Sequence, residues 1–175
     1  MKKLIECVPN FSEGNDMHII DQITAEIKAV EGVSLIDVDP GKATNRTVVT
    51  MVGTPEEVCE AAFRAVKKAS ELIDMKKHKG AHPRFGATDV CPLVPVSNIT
   101  MEETVEYARA LAKRIGEELN IPVYCYESAA FVPERKNLAT CRAGEYEALG
   151  ERLSSEQWHP DFGPRELNEW TAKTG

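Results

Sequence analysis

Three stretches of this chain repeat apolar residues at spacings of three and four, which is the period of an α-helix that buries one face. We predict these helices at about residues 17–30, 54–73 and 100–120. The second and third each begin with a capping box, formed by Thr54 with Glu57 and by Thr100 with Glu103. Each stripe must be buried against another element, so the chain is restricted to folds that pair these helices with further layers.

Five short apolar stretches between and after the helices predict β-strands. They lie at residues 3–8, 33–39, 45–53, 89–96 and 123–126. The first six elements follow the order strand, helix, strand, strand, helix, strand, which matches the split βαβ, ferredoxin-like arrangement. The predicted fold class is α+β, with a mixed sheet that carries its helices on one face.

The last part of the chain has weaker patterns. Residues 133–150 predict short helical pieces, whereas residues 154–175 are polar and interrupted by proline and glycine. We therefore predict that residues 1–153 form one subdomain. Residues 154–175 are expected to be a surface tail or a linker toward a further subdomain.

Alternation along the strands assigns residues to the two faces of the predicted sheet. Glu6, Asp37 and Asp39 fall on one face, which is either solvated or part of a site or covered interface. In the predicted strand at 45–53, the residues that point to one face and those that point to the other both include apolar side chains. Neither face of the sheet is therefore suited to full exposure to water. This pattern predicts self-association with sheet packed on sheet, most simply as a two-fold homodimer.

Composition excludes several classes of function. The 21 basic and 28 acidic residues give a net charge of −7, which argues against a general nucleic-acid binder. No apolar run approaches the ~20 residues needed to cross a membrane, and the N-terminal apolar stretch is too short for a signal peptide. The five cysteines are widely spaced and form no CxxC, which argues against a disulfide framework or a zinc site. We expect an intracellular, cytoplasmic protein.

Residues 76–92 form a basic, glycine-punctuated loop that contains two of the four histidines. His78 and His82 are four apart, but Gly80 and Pro83 argue against the shared helix face that a metal site would need. The loop is either a solvated basic segment or a place where an exposed histidine performs acid–base chemistry on an anionic substrate. The residues alone leave both alternatives open.

Several stretches of the chain carry a resemblance to a known family. They are residues 6–14, 37–39 with 44–48, 72–75, 78–84, 89–92, 142–149 and 160–164, in order and almost without gaps. In these stretches the chain resembles the N-terminal half of the formiminotransferase domain, the family of glutamate formimidoyltransferase. Because runs of eight or nine residues match, this resemblance is far more specific than a single short motif.

The resemblance implies a function and a set of site residues. The family transfers a formimino group from 5-formiminotetrahydrofolate to glutamate during histidine breakdown, and the folate itself carries the one-carbon unit, so no metal is needed. The family's catalytic histidine falls on His82, in the His-Pro-Arg motif, and its aspartate at the reacting centre falls on Asp39. Its folate contacts fall on Gly163, Pro164 and Trp170, although residues 165–169 between them depart from the family pattern.

The chemistry of the transfer suggests roles for further residues. A histidine with a pKa near ~6.5 can take a proton from the attacking amine and return one to the leaving nitrogen, which is the role we predict for His82. Asp39 would either stabilise the cationic amidinium carbon or orient His82. Lys79 and Arg84 would attract the substrate carboxylates, and Ser12 lies in a loop whose amides suit a carboxylate. For Lys79, a solvated charge is the competing interpretation.

The resemblance also implies a second half, whose sheet faces the first across a substrate passage. We expect that half to lie beyond these 175 residues. The chain is then an enzyme half, a folate-binding half that turns nothing over without a separate partner, or an interaction module that keeps only the fold. Its expected partners are folate, glutamate, and a second copy or a second formiminotransferase half.

Overall fold

A computed structural model describes all 175 residues. The strands are β1 (Leu4–Cys7), β2 (Asn10–Phe11), β3 (Ser34–Gly41), β4 (Arg46–Gly53), β5 (Thr88–Val90) and β6 (Leu93–Ser97). The α-helices are α1 (Met17–Lys28), α2 (Pro55–Leu72), α3 (Met101–Leu119), α4 (Leu138–Arg142), α5 (Leu149–Ser154) and α6 (Glu169–Thr174). Single 3₁₀ turns lie at Met75–Lys77, Glu127–Ala129, Pro133–Arg135, Tyr146–Ala148 and Glu156–Trp158.

Two of the predicted strands are interrupted by a proline and continue beyond it. β1 and β2 are separated by Val8 and Pro9 and pair with successive parts of β4, and β6 and β5 pair with β1 and β2 on the other side. Proline removes a ladder hydrogen bond, so each strand breaks there. Val49 N donates to Pro9 O at 3.0 Å and Val8 N donates to Pro92 O at 3.2 Å, which keeps the pieces aligned.

The sheet has the ferredoxin-like order β3, β4, β1/β2, β6/β5, as predicted. All of its strand pairs are antiparallel, so the expectation of a mixed sheet is wrong. The hairpin after β3 reverses the chain and inserts β4 beside β1, so strands that run in the same direction are never neighbours. β3 also continues through Asp39–Gly41, and the hairpin turn lies at residues 42–45.

The helices cover one face of the sheet and build the core there. Ile5, Cys7, Val49 and Met51 point into this core and are fully buried. The helical stripes predicted from the sequence meet them, with α1 contributing Ile23 and Ile27, α2 contributing Val58, Ala62 and Val66, and α3 contributing Leu111 and Ile115. No helix is both long enough and apolar enough to cross a membrane.

The two predicted capping boxes have different outcomes. At α3, Thr100 Oγ1 accepts from Glu103 N at 3.1 Å and the Glu103 carboxylate accepts from Thr100 N at 3.2 Å, which confirms the box. At α2, the Thr54 hydroxyl instead donates to the Glu57 carboxylate at 2.7 Å and makes no bond to the backbone. The box predicted there is wrong, and Pro55 in the first turn supports the helix start.

The opposite sheet face has no helix on it, and we call it the open face. Register confirms that Glu6, Asp37 and Asp39 share it, because they lie opposite Val52, Thr50 and Val48 of β4. Apolar side chains lie among these carboxylates. Val94, opposite Glu6 on β6, is 43% exposed, and Ile36, in the bulge of β3, is 60% exposed. The open face is therefore partly charged and partly apolar.

The C-terminal part folds back onto the domain. The strand predicted at 123–126 is wrong, since only an isolated bridge joins Val123 to Phe162, whereas short helical pieces do occupy 133–150 as predicted. Residues 154–175 are not a surface tail, because Arg135 pairs with Asp161 at 2.9 Å and Thr171 is fully buried. Residues 165–169 are exposed, whereas the side chains of Trp170, Thr171 and Lys173 donate to backbone carbonyls, a difference that composition does not show. The subdomain boundary at residue 153 stays a prediction.

Candidate active site

The loop that carries the histidines is fixed against the β3–β4 hairpin. Gly80 lies so close to Thr44 that a Cβ would stand 2.2 Å from the Thr44 carbonyl oxygen, so only glycine fits. Asn45, in the left-handed region at φ 50°, donates from its amide to Lys79 O at 3.0 Å and accepts from Gly14 N at 2.9 Å. Asn45 thus joins the histidine loop, the hairpin and the loop before α1.

The two histidines of the loop have different environments. His78 is buried, its Nε2 donates to Asn45 O at 2.9 Å, and its Nδ1 accepts from Arg84 Nε at 3.2 Å. Both ring nitrogens are used within the protein, so His78 holds the loop in place. Neither nitrogen is free for a metal or a substrate in this arrangement.

His82 is half-buried and lies beside Arg46 of β4. Arg46 Nη1 is 2.9 Å from His82 Nε2 and also contacts Nδ1 of the same ring. Nδ1 is 2.6 Å from the carbonyl oxygen of Pro83, which assigns the proton to Nδ1 and leaves Nε2 as the acceptor nitrogen. Because Arg46 Nη1 is close to both ring nitrogens, the guanidinium lies against the ring and not along the Nε2 lone pair. The ring is therefore oriented by one backbone carbonyl and one cation, with Nε2 as the proton acceptor.

A buried carboxylate holds Arg46 from its other side. The Asp89 side chain is fully buried and its Oδ2 lies 3.5 Å from Arg46 Nη1 and 2.9 Å from Arg142 Nη2. Its Oδ1 accepts from Phe85 N at 2.6 Å. Burial raises the pKa of Asp89, and the charges of Arg142 and Arg46 oppose that rise. Burial also lowers the pKa of Arg46. The buried Asp89 carboxylate thus lies between two arginines that are each largely buried, with Arg46 joining it to His82.

Asp39 lies on the open face near this group. It is opposite Val48, and the next pair on the same face joins Gly41 to Arg46, so Asp39 is one position along the sheet from Arg46. Asp39 is exposed and makes no hydrogen bond or ion pair with His82. The register therefore places Asp39 near Arg46, the residue that contacts His82.

The three predicted substrate-binding residues lie around the same loop but differ in exposure and in the partners of their side chains. Lys79 is exposed, and only its backbone carbonyl is bonded, to Asn45. Arg84 is paired with Glu147 at 2.6 Å and Glu145 at 3.3 Å, and these partners raise its pKa. Ser12 is buried and its hydroxyl donates to Gly86 O at 2.7 Å. Of the three, Lys79 alone presents an unpaired functional group to solvent.

The predicted folate-binding residues lie elsewhere, at the C-terminal end of α3. Gly163, at φ 94°, packs so tightly on the Ile121 carbonyl that a Cβ would lie 2.2 Å from its oxygen. Pro164 follows it, and Trp170 Nε1 donates to Leu119 O at 2.8 Å. None of their contacts is shared with His82, Arg46 or Asp89. Within this chain, the structure does not bring these residues together with the histidine.

Sequence reasoning missed Arg46, Asp89 and Arg142. The sequence did contain a signal for Asp89, because this residue lies beside the apolar Val90 in a predicted strand and could therefore be buried. A buried carboxylate needs a cation as a partner. Nothing local identified its partners, which come from β4 and α4. Cys7, Cys125 and Cys141 are buried, as the sequence suggested, whereas Cys59 and Cys91 are half-buried. Burial raises the pKa of Cys59 and of Cys125 to about 12.

The fold and the site define a ferredoxin-like α+β domain whose open face ends at a histidine oriented by a buried arginine–aspartate pair. Residues 4–174 match the model of the Formiminotransferase domain, N-terminal subdomain. The chain belongs to this family.

Curated relatives agree with this assignment. The chain is 57% identical over 164 residues to formimidoyltransferase-cyclodeaminase of Mus musculus, which covers 94% of this chain and 30% of that protein. It is 49% identical over 168 residues to glutamate formimidoyltransferase of Streptococcus pyogenes serotype M1, covering 96% and 56%. The corresponding enzyme of Thermoplasma acidophilum is 48% identical, covering 92% and 54%. The chain thus spans between 30% and 56% of the length of these relatives.

Proposed function

We propose that this chain supplies the histidine-bearing half of a glutamate formimidoyltransferase site, which moves a formimino group from 5-formiminotetrahydrofolate to L-glutamate. The observation that carries the proposal is His82, a half-buried ring whose Nδ1 lies 2.6 Å from Pro83 O and whose other nitrogen, Nε2, is left as the acceptor beside the Arg46 guanidinium. The names of the relatives support the reaction. The folate carries the one-carbon unit, so the proposed reaction requires no metal.

The proton balance of the transfer suits a single histidine. The glutamate nitrogen attacks the formimino carbon and forms a C–N bond, and the bond from that carbon to folate N5 then breaks. The attacking amine loses one proton and N5 gains one. His82 Nε2 takes the first proton and returns it to N5, while Nδ1–H stays bonded to Pro83 O.

Arg46 has two functions in this proposal. It lies against the His82 ring before substrate arrives, and it is a cation on the face where anionic substrates would bind. A substrate carboxylate draws the guanidinium away from the ring, and Nε2 becomes available for proton transfer. Asp89 keeps Arg46 within reach of both positions.

Asp39 is proposed to stabilise the cationic formimino carbon as the amine attacks. Its exposure on the open face, one position from Arg46, supports this role. Lys79 is proposed to attract the substrate carboxylates. Arg84 can bind a substrate carboxylate only if it gives up its ion pair with Glu147. Ser12 is proposed to act indirectly, because its hydroxyl holds the loop in place through the bond to Gly86 O.

Asp39→Asn is expected to lower turnover at least ~10-fold, because one favourable charge interaction in a partly buried site is typically worth ~1.4 kcal/mol or more. Stability is expected to change by no more than ~0.5 kcal/mol, since the side chain is exposed. Transfer assays and thermal unfolding of the protein joined to its second half measure both. Asp37→Asn, two residues away on the same face, is the control. A sharp fall in melting temperature with unchanged activity per folded molecule would make Asp39 structural.

The open face is proposed to be the substrate side, covered by a second formiminotransferase half, with folate also contacting Gly163, Pro164 and Trp170. Its exposed Val94 and Ile36 among carboxylates support a covered surface.

The proposal includes histidine breakdown as the pathway and the cytoplasm as the location, consistent with five free thiols. A folate-binding half that needs a separate partner is the alternative.

One experiment separates these functions. Folate binding and formimino transfer are measured for the chain alone and for the chain mixed with a C-terminal formiminotransferase subdomain. Folate binding with transfer only in the mixture supports an enzyme half. Folate binding without transfer in either case supports the binding half, and the absence of both leaves an interaction module.

Without its second half, the chain is expected to dimerise through the open face at micromolar concentrations. Covering the apolar side chains there removes them from water. Sedimentation velocity from about 1 to 100 µM would show a concentration-dependent shift. Val94→Lys is expected to weaken association at least ~10-fold, because a charge would be buried. Met17→Lys, at an equally exposed residue on α1, is the control, and a monomer at every concentration would contradict the prediction.

A further inference from the structure

Two cysteine thiols meet on the helix side of the sheet, outside the candidate active site. Cys7 ends β1 and Cys91 precedes Pro92 in the break between β5 and β6, and their sulfur atoms are 3.7 Å apart. The two residues are 84 positions apart in the sequence, so the fold brings them together. All five cysteines of the chain are free, and no other two of them are joined by a hydrogen bond between thiols. This thiol pair is therefore a specific feature of the core.

The two thiols differ in access. Cys7 is fully buried in the core, whereas Cys91 is half-buried and lines a cavity of about 360 Å³. The cavity lies between β5, β6, α3 and the segment that follows α3, and its lining is mostly hydrophobic. Val94, which is 43% exposed, also lines it, so the cavity opens to solvent. A small molecule that enters the cavity meets Cys91 first, because Cys7 is not part of the lining.

The backbone around Cys91 leaves room for a small movement. Neither the N–H nor the C=O of Cys91 makes a hydrogen bond to the backbone, at the point where Pro92 interrupts the strand. Val8 N donates to Pro92 O at 3.2 Å, which keeps the residues next to the two cysteines together. The sulfurs of a disulfide are about 2.05 Å apart, so these two thiols need to approach by roughly 1.7 Å to bond. A local shift of the unpaired Cys91 is enough.

We propose that Cys7 and Cys91 form a reversible disulfide when a small peroxide enters this cavity. The Cys91 sulfur attacks one peroxide oxygen and the O–O bond breaks. Cys91 becomes a sulfenic acid, and the other oxygen leaves as water with the thiol proton. The Cys7 sulfur then attacks the Cys91 sulfur, the S–O bond breaks, and the hydroxyl leaves as a second water with the Cys7 proton. Two thiols are oxidised to one disulfide, and one peroxide is reduced to two waters.

The surroundings of the two thiols support this order of events. The hydrogen bond with Cys91 and burial raise the pKa of Cys7 well above its ordinary value, so Cys7 keeps its proton until the second step. Its attack is intramolecular and begins from a sulfur–sulfur distance of 3.7 Å, which favours it over reaction with any thiol in solution. A peroxide is small and uncharged, which suits entry into a mostly hydrophobic cavity.

Mass spectrometry of the 175-residue chain tests the proposal. The reduced chain is treated with a modest excess of hydrogen peroxide, alkylated, and digested with trypsin without reductant. One linkage is expected, between the tryptic peptides 4–28 and 85–109, which carry Cys7 and Cys91. Three of the five thiols are expected to stay free, and dithiothreitol is expected to restore all five.

Three results of this experiment would overturn the proposal. They are linkage of other cysteines in equal yield, oxidation of Cys91 to a sulfinic acid while Cys7 stays free, and the absence of any reaction at both thiols. Because the readout is a pair of peptides, it is independent of the transfer reaction proposed for the chain.

Two cysteines that line the same cavity provide matched variants. Cys91 contacts another thiol, whereas Cys125 does not. Cys91→Ser is expected to lower the linked fraction of Cys7 at least ~10-fold, because the preformed contact is lost, and Cys125→Ser is expected to leave that fraction unchanged. The chain unfolded in urea also lacks the contact and is expected to give mixed linkages. Cys7 linked as fully in Cys91→Ser as in the unchanged chain would overturn the proposed pairing.

Discussion

Replacing His82 by alanine is expected to lower formimino transfer by at least ~10²–10⁴-fold, which is the usual contribution of general acid–base catalysis. The protein assayed joins this chain to its second half. Folate binding is expected to stay within a few-fold, because the role proposed for His82 is proton transfer and its only side-chain contacts are with Pro83 and Arg46. Transfer rates and folate binding measured on the same preparation separate the two effects.

Two further histidines make this experiment selective. His18→Ala, at an exposed position on α1, is expected to change neither rate nor stability. His78→Ala is expected to loosen the loop, since its ring bonds Asn45 and Arg84, and to lower stability together with activity. Near-full turnover in His82→Ala would show that another group transfers the proton, and the proposed mechanism would then be wrong.

Asp161→Ala is expected to cost about 3–5 kcal/mol of the free energy of unfolding, the usual cost of leaving a buried charge without its partner. Arg135 is 7% exposed, and its Nη1 donates to Asp161 Oδ1 at 2.9 Å. Asp161 Oδ2 also accepts from Cys125 N at 2.7 Å. This carboxylate therefore attaches residues 154–175 to the rest of the domain. Urea unfolding at neutral pH gives the value.

A double-mutant cycle tests that the loss comes from this pair. Arg135→Met with Asp161→Ala is expected to cost less than the sum of the single changes, because the second change removes the charge left unpaired by the first. Asp37→Ala, at an exposed aspartate, is expected to stay within ~0.5 kcal/mol. Full additivity of the two changes would mean that Arg135 and Asp161 stabilise the segment independently.

The local signals of the sequence predicted what local physics controls. The period of apolar residues located α1, α2 and α3, and alternation placed Glu6, Asp37 and Asp39 on one face, as register confirms. The order of the elements was enough for the ferredoxin-like class. The predictions for residues 123–126 and 154–175 were wrong, because the polar and apolar patterns there are short and the conformation depends on contacts with distant parts of the chain.

The sequence by itself determined the helices, the order of the strands and the loop that carries His82, because periodicity, caps and proline act within a few residues. Only the tertiary structure decided that the strands are all antiparallel, that the C-terminal segment returns to the domain, and that Arg46, Asp89 and Arg142 meet behind His82. The physical reason is that ion pairs and strand neighbours depend on distances through space. Residues of β4, β5 and α4 acquire those distances only when the core has packed.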